Sequence, residues 1–139
     1  MKTKHSTAAG VIVVNSKNGK VLLLYKKRFG HWEYSKGGIE KGESEVTTAR
    51  RELKEEIGTK NIKIDRTFKE IINYSFRAEG INIKRTVTFF LGFTQDKIKL
   101  SGEHTKYKWC SFNEANKIFN HHNYKMLLKK VEQHLMKKK

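Results

Sequence analysis

Three glutamates, Glu52, Glu55 and Glu56, lie in the short segment Arg51-Glu52-Leu53-Lys54-Glu55-Glu56-Ile57-Gly58. On a helix turning about 100° per residue, Glu56 points about 40° and Glu55 about 60° away from Glu52. All three carboxylates then share one side, beside Leu53 and Ile57, so Glu56 falls at the border of a buried face. Like charges at i,i+4 repel and weaken a helix by a few tenths of a kcal/mol. A cluster of this kind against a core makes chemical sense when a cation sits among the oxygens. Hard oxygen donors suit Mg²⁺ or Mn²⁺, and Mg²⁺ bridges a few carboxylates to substrate phosphates. Taken alone, Glu-x-x-Glu-Glu is more often a solvated acidic face with Arg51 and Lys54 in surface pairs, so the surrounding residues decide.

Upstream stands Gly37-Gly38-Ile39-Glu40-Lys41-Gly42-Glu43, then seven residues, then Arg51-Glu52. The whole resembles the Nudix box, G-x5-E-x7-R-E-U-x-E-E-x-G-U with U aliphatic. Gly37, Glu43, Arg51, Glu52, Leu53, Glu55, Glu56 and Gly58 fill its fixed positions in register, and Thr59 departs from the final aliphatic position. The resemblance implies an α/β/α sandwich and hydrolysis of a diphosphate bond with Mg²⁺ or Mn²⁺, more than one ion per site. It implies Glu52 and Glu56 as the chief metal ligands, Glu55 as a third or water-mediated one, and the backbone carbonyl of Lys36 as a contributor. Gly37 and Gly38 are expected to let the backbone approach the metal-phosphate cluster, since no Cβ blocks it. Glu43 and Arg51 are expected to brace loop against helix, with Arg51 and Glu55 paired.

Outside the box, His31-Trp32-Glu33-Tyr34-Ser35-Lys36-Gly37-Gly38 is similar to the H-W-x-F-P-K-G segment of asymmetric diadenosine tetraphosphate hydrolases. Arg85-Thr86-Val87-Thr88-Phe89-Phe90-Leu91 and Leu100-Ser101-Gly102-Glu103-His104-Thr105-Lys106-Tyr107-Lys108-Trp109 resemble two further segments of that subfamily. Ser35 stands where proline is usual, which loosens the loop, and Tyr34 stands where Phe is usual. The likeness implies that Lys36 contacts phosphate, that His31 lies near the polyphosphate and that Glu103 joins the metal site. Four bridging phosphates carry about four negative charges, which Lys36, Lys84 and Arg85 can neutralise where metals do not. Tyr74, Phe76 and Tyr124 offer π faces for adenine, though each is equally a core aromatic. His104 is expected to be structural or to act behind the ligands. The expected reaction is water attack on phosphorus, giving ATP and AMP from diadenosine tetraphosphate, with Glu56 or Glu103 as base. Rival expectations are an RNA 5′-pyrophosphohydrolase, another nucleoside-diphosphate hydrolase, or an idle Nudix domain that binds nucleotide or RNA. The intact carboxylates oppose the last.

The elements must position these residues. Thr7–Val14 and Val21–Tyr25 are β-branched or apolar runs joined across Asn18-Gly19, the pattern of a hairpin. Phe29–Gly42 has no helical period and is expected as a loop. Val46, Ala49, Leu53 and Ile57 recur at helical spacing, which predicts a helix over Glu43–Ile57 stopped by Gly58. Ile62–Phe76 and Ile81–Phe93 predict a long second hairpin, and Lys97–Leu100 and Lys106–Cys110 two short strands. Ser111 with Glu114 makes a capping box for a helix through Asn120, and Asn123–Met136 predicts the last helix. Strands around an inserted helix, with helices at the end, argue an α/β sandwich on a mixed sheet, one domain over residues 1–139.

Composition limits the classes. The 139 residues carry 30 Lys+Arg against 14 Asp+Glu, a formal charge of +16, which attracts nucleotides, polyphosphates or RNA without choosing among them. No apolar run approaches the roughly 18–20 residues of a membrane helix, and no signal peptide is seen. A single cysteine, Cys110, excludes an internal disulfide and is expected as a buried apolar residue. A cytoplasmic protein without membrane or obligate protein partner is the expectation.

Overall fold

The computed structural model describes residues 2–137; Met1 and the last two lysines of the chain lie outside the described residues. One mixed sheet runs β3-β2-β1-β6-β5, with β4 also on β1 and β7 also on β2. Its strands are β1 (Thr3–Asn15), β2 (Val21–Lys26), β3 (His31–Glu33), β4 (Ser35–Gly38), β5 (Lys63–Ala78), β6 (Ile81–Thr94) and β7 (His104–Cys110). The helices are α1 (Glu45–Ile57), α2 (Phe112–Ile118) and α3 (His122–Lys137).

β1 is the axis, and it is buried on both faces because its side chains alternate between two cores. Ala8, Ile12 and Val14 join Leu23, Phe89, Leu91, Leu127 and Leu128 beneath α2 and α3. Ala9, Val11 and Val13 join Leu22, Leu24, Leu53, Ile57 and Phe90 beneath α1. The sheet is thus sandwiched between helical layers, as expected. β1 pairs in parallel with β6 along its whole length, while the other ladders are antiparallel.

Both predicted hairpins form. Asn15 Oδ1 accepts from the Lys17 and Asn18 amides in the first turn, and Gly19 takes φ 74°. In the second, Glu79 and Gly80 both have positive φ, 52° and 75°, the pair a two-residue type I′ turn demands. The segment Phe29–Gly42, expected as a loop, instead contains β3 and β4. β4 lies against the N-terminal half of β1, with Lys36 opposite Gly10, while β2 occupies the same edge further on. A Cβ at Gly10 would collide with the Ser35 carbonyl, so that glycine admits the short strand. Lys97–Leu100 is not a strand. Its chain crosses the end of α1 and turns its amides to helix carbonyls: Lys99 N–H donates to Ile57 O at 3.0 Å and Ser101 N–H to Glu56 O at 3.2 Å. α1 begins at Glu45, with Glu43 outside it, and α2 ends at Ile118, short of Asn120. Cys110 is fully buried.

Candidate active site

The box is held by a small number of fixed points. Ser44 caps α1, its Oγ accepting from the Thr47 amide, and Gly58 ends the helix in the left-handed conformation. Arg51 is the hub. Its guanidinium donates to both oxygens of Glu43 at 2.8 and 3.0 Å, to Gly38 O at 3.0 Å, to Glu52 at 2.9 Å and to Glu55 at 3.3 Å. Glu43 also accepts from the Glu40 amide and the Thr48 hydroxyl. This is the bracing expected of Glu43 and Arg51, and Arg51 draws Glu55 into its pair. A Cβ at Gly37 would overlap the Glu52 carboxylate, which would have to swing aside. At Gly38 a Cβ would meet no protein atom within 4 Å.

Beneath Glu52 lies a buried polar knot. Glu56 Oε1 accepts from Ser35 Oγ at 2.7 Å, and its Oε2 lies 3.4 Å from His104 Nδ1. His104 Nε2 lies 2.8 Å from Glu33 Oε2, and the other Glu33 oxygen meets His31 Nε2 at 3.2 Å and Lys36 Nζ at 3.3 Å. Burial alone would push the Glu33 carboxyl up; the His104 and His31 hydrogen bonds and the Lys36 charge hold it well below the usual carboxylate range. Burial would likewise push the Lys36 ammonium down, but Glu33 more than offsets it and holds the lysine charged. Glu56 has no such compensation. Burial, with Glu52 and Glu33 nearby, pushes its carboxyl up to about 8 against the weaker pull of Ser35. Glu52 is also raised by burial, despite Arg51, with Glu55 and Glu103 adding to the push.

Among the described residues, Glu33, Glu56 and His104 are the one group of acids and histidines whose potential ligand atoms all lie within 4.8 Å of one another. Glu52 and Glu55 turn toward Arg51. Glu103, at the mouth of β7, is exposed and paired with Lys26 at 2.8 Å, which holds its carboxyl below the usual value. Glu33 and Ser35 carry no sequence signal comparable to the box. The available hint for Glu33 was an acid between two aromatics, Trp32 and Tyr34, two residues from His31.

A cavity of about 310 Å³ opens beside this knot and shares Glu33 and Lys36 with it. His31, Tyr74, Phe76 and Tyr124 line it, together with Phe29 and His121, which sequence did not single out. Tyr74 and Phe76 are half-buried neighbours on β5, ring centres 6.1 Å apart. Tyr124 belongs mostly to the core, 6% exposed and packed against Tyr34 and Phe119. Arg85 lies over the Phe76 ring at 5.0 Å and donates to Ser6 Oγ. Lys84 is exposed, and with Arg85 and His5 it lines a neighbouring depression rather than the cavity.

The residues present suit a hard divalent cation. Glu52 is pressed to the β4 backbone at Gly37, Glu56 is a buried carboxyl short of positive charge, and His104 Nδ1 is a buried polar atom without a hydrogen-bond partner. The last two are costly without a cation and reasonable with one.

Residues 4–130 match the NUDIX domain family. The chain is 31% identical over 120 residues to the asymmetrical bis(5′-nucleosyl)-tetraphosphatase of Sus scrofa, covering 83% of this chain and 79% of that protein. It is 27% identical to an RNA pyrophosphohydrolase of Pelagibacter ubique, covering 89% of each. The crystal structure of a C. elegans Ap4A hydrolase binary complex superposes with TM-score 0.84 at 31% identity, covering 94% of this chain and 98% of the other. Box, fold and relatives agree, and the chain belongs to the Nudix family of pyrophosphohydrolases.

Proposed function

We propose that the protein hydrolyses dinucleoside polyphosphates asymmetrically, taking diadenosine tetraphosphate to ATP and AMP. The observation that carries this reading is the cavity: it joins aromatic faces to Lys36 and His31 and lies directly beside the carboxylates of α1. One adenosine would lie against Tyr74 and Phe76, with Tyr124 behind them as the wall. The phosphates would run along Lys36 and His31, with Arg85 and the more exposed Lys84 nearer the outer end. Mg²⁺ or Mn²⁺, held by Glu52, Glu56 and the Lys36 carbonyl with Glu55 and Glu103 nearby, supplies charge neutralisation and acidifies the attacking water when bound.

The chain's own groups do the rest. Lys36 stays charged because Glu33 faces it, so a cation is waiting where phosphate arrives. Arg51 ties Glu52 and Glu55 to the Gly38 carbonyl, fixing carboxylates and loop as one body. Of the two expected bases, Glu103 is open to solvent with its carboxyl held low by Lys26, whereas Glu56 is raised toward the neutral range in which a general base works best. The test is hydrolysis of diadenosine tetraphosphate in ¹⁸O-labelled water with Mg²⁺. ATP and AMP with label in the AMP are expected, since water attacks the phosphorus nearest one adenosine. Two ADP molecules would refute the reading. A second reading, RNA 5′-pyrophosphate removal, draws on a 45-residue stretch 51% identical to an RNA pyrophosphohydrolase of Nitratiruptor. Pyrophosphate release from triphosphorylated RNA, with diadenosine tetraphosphate untouched, would favour it.

A further inference from the structure

Building on the reading of Glu56 as a cation-holding carboxylate, we infer that His104 is itself a metal ligand. Its Nδ1 and Glu56 Oε2 together take a divalent transition ion, which gives the site a nitrogen donor and a preference for Co²⁺ or Zn²⁺ over Mg²⁺. His104 begins β7, and its side chain is fully buried. Its Nε2 lies 2.8 Å from Glu33 Oε2. Glu33 is held ionised by its partners, and an ionised carboxylate only accepts, so the ring hydrogen is on Nε2. Nδ1 is left with a bare lone pair, 3.4 Å from Glu56 Oε2.

Two electron-rich atoms facing each other in a buried place are costly unless a cation joins them. The side-chain cations nearby are spent elsewhere: Lys36 Nζ on the other Glu33 oxygen, Arg51 on Glu43, Glu52 and Glu55, and Lys26 on Glu103. Nδ1 has no hydrogen-bond partner in the protein. The spacing points the same way. Donors held about 2.1 Å from one ion and 3.4 Å apart subtend about 110° at it, close to the tetrahedral angle. Ser35 Oγ occupies Glu56 Oε1, which leaves Oε2 for the ion. Glu33 stands behind the ring, on the far N–H. A carboxylate in that place fixes the tautomer of a metal-bound imidazole and makes it a better donor. Imidazole nitrogen suits Co²⁺ and Zn²⁺, whereas Mg²⁺ takes oxygen donors, so this one nitrogen bears on the choice of ion.

Pulsed EPR of the unmodified protein tests this directly, with Mn²⁺ as a probe that accepts both kinds of donor. The protein, titrated with Mn²⁺ to saturation, should show the ¹⁴N coupling of a directly bound imidazole, and labelling its histidines with ¹⁵N should replace that signal. Bound Mn²⁺ without nitrogen coupling at any point of the titration overturns the inference and leaves the carboxylate ligands standing. No bound Mn²⁺ at all would sink the carboxylate reading and the inference with it. His104→Gln should remove the coupling, and coupling that survives there overturns the assignment. By calorimetry the same variant should bind Co²⁺ at least tenfold more weakly and Mg²⁺ within about threefold of the parent. A merely structural histidine predicts equal losses for the two ions, and equal losses overturn the inference. If His104→Gln loses its thermal transition, the double variant His31→Asn, His121→Asn decides, since it removes the two imidazoles of the adjoining cavity. Coupling kept in the double variant supports His104, and coupling lost there overturns it.

Discussion

Replacing Glu56 by Gln should stabilise the cation-free protein while abolishing its response to the cation. Glu56 is only 12% exposed, and its carboxyl is pushed up to about 8 from an ordinary 4.5. At pH 7 the folded protein keeps this group protonated, whereas the unfolded chain releases the proton. Each unit between 4.5 and 7 then favours unfolding by about 1.4 kcal/mol, on the order of 3 kcal/mol in all. Because the folded value is the raised one, this contribution is fully present below pH 4.5. It drains away as pH rises toward 8 and levels off above. Glu33 works in the opposite window: its value is lowered, so its contribution is present above 4.5 and lost in acid. Cation-free stability should therefore peak near pH 4.5–5.

Gln has no proton to lose and keeps an oxygen for Ser35 Oγ. In chelator at pH 7, Glu56→Gln should melt about 10 °C above the parent, taking roughly 3 °C per kcal/mol for a domain of this size. At pH 5 the two should nearly coincide. Saturating Mg²⁺ should raise the parent, since a ligand that binds only the folded state stabilises it, and leave the variant unmoved and inactive. Thermal unfolding followed by circular dichroism at pH 5, 7 and 8.5, with chelator and with Mg²⁺, measures all of this. A variant that melts with or below the parent at pH 7, with the same pH slope, would refute the assignment of the strained proton to Glu56. Equal Mg²⁺ stabilisation of both proteins would refute its role as ligand.

Two further predictions concern the loop and its anchor. Gly37→Ala should lower Mg²⁺ affinity and rate at least tenfold, because its Cβ displaces the Glu52 carboxylate, whereas Gly38→Ala should bind Mg²⁺ normally by calorimetry. Equal effects of the two would mean that crowding at Glu52 is not the reason for the glycine. Glu43→Gln should lower the melting temperature while retaining most of kcat, since Glu43 anchors Arg51, Thr48 and the Glu40 amide and touches no other box carboxylate. A large loss of kcat at unchanged melting temperature would give Glu43 a direct chemical part.

What sequence could reveal follows from where each interaction is made. α1, its stop at Gly58 and the Arg51 anchor were legible because every partner lies within about twenty residues at fixed spacing. The apolar, β-branched runs of β1 and β6 were legible because each strand has a core on both faces. β3 and β4 were not, since strands of three and four residues gain their pairing from outside, β4 from the space left at Gly10. Lys97–Leu100 has the alternation of a strand, with Ile98 and Leu100 in the core, but spends its amides on the end of α1. The Glu33–His104 contact joins residues 71 apart, and nothing local to either predicts it. Ser35, expected to loosen its loop, instead ties that loop to Glu56.

Glu33 lies where the cavity and the carboxylates of α1 adjoin. Acids gather on the α1 side and cations along the cavity, and a polyphosphate with its metals would span the two. Glu33 is the buried anion between them, holding Lys36 and His31 toward the cavity and His104 toward Glu56. Its two oxygens are thus divided between the cavity side and the Glu56 side. Removing the charge would release Lys36 from its partner and His104 from its orientation together, so KM and metal affinity should change in the same variant. Residues that serve one half, such as Tyr74 or Ser35, would move only one of them. That coupling would run through one carboxylate and not through the box, and would place the link between substrate grip and metal grip on β3, outside the motif that identifies the family.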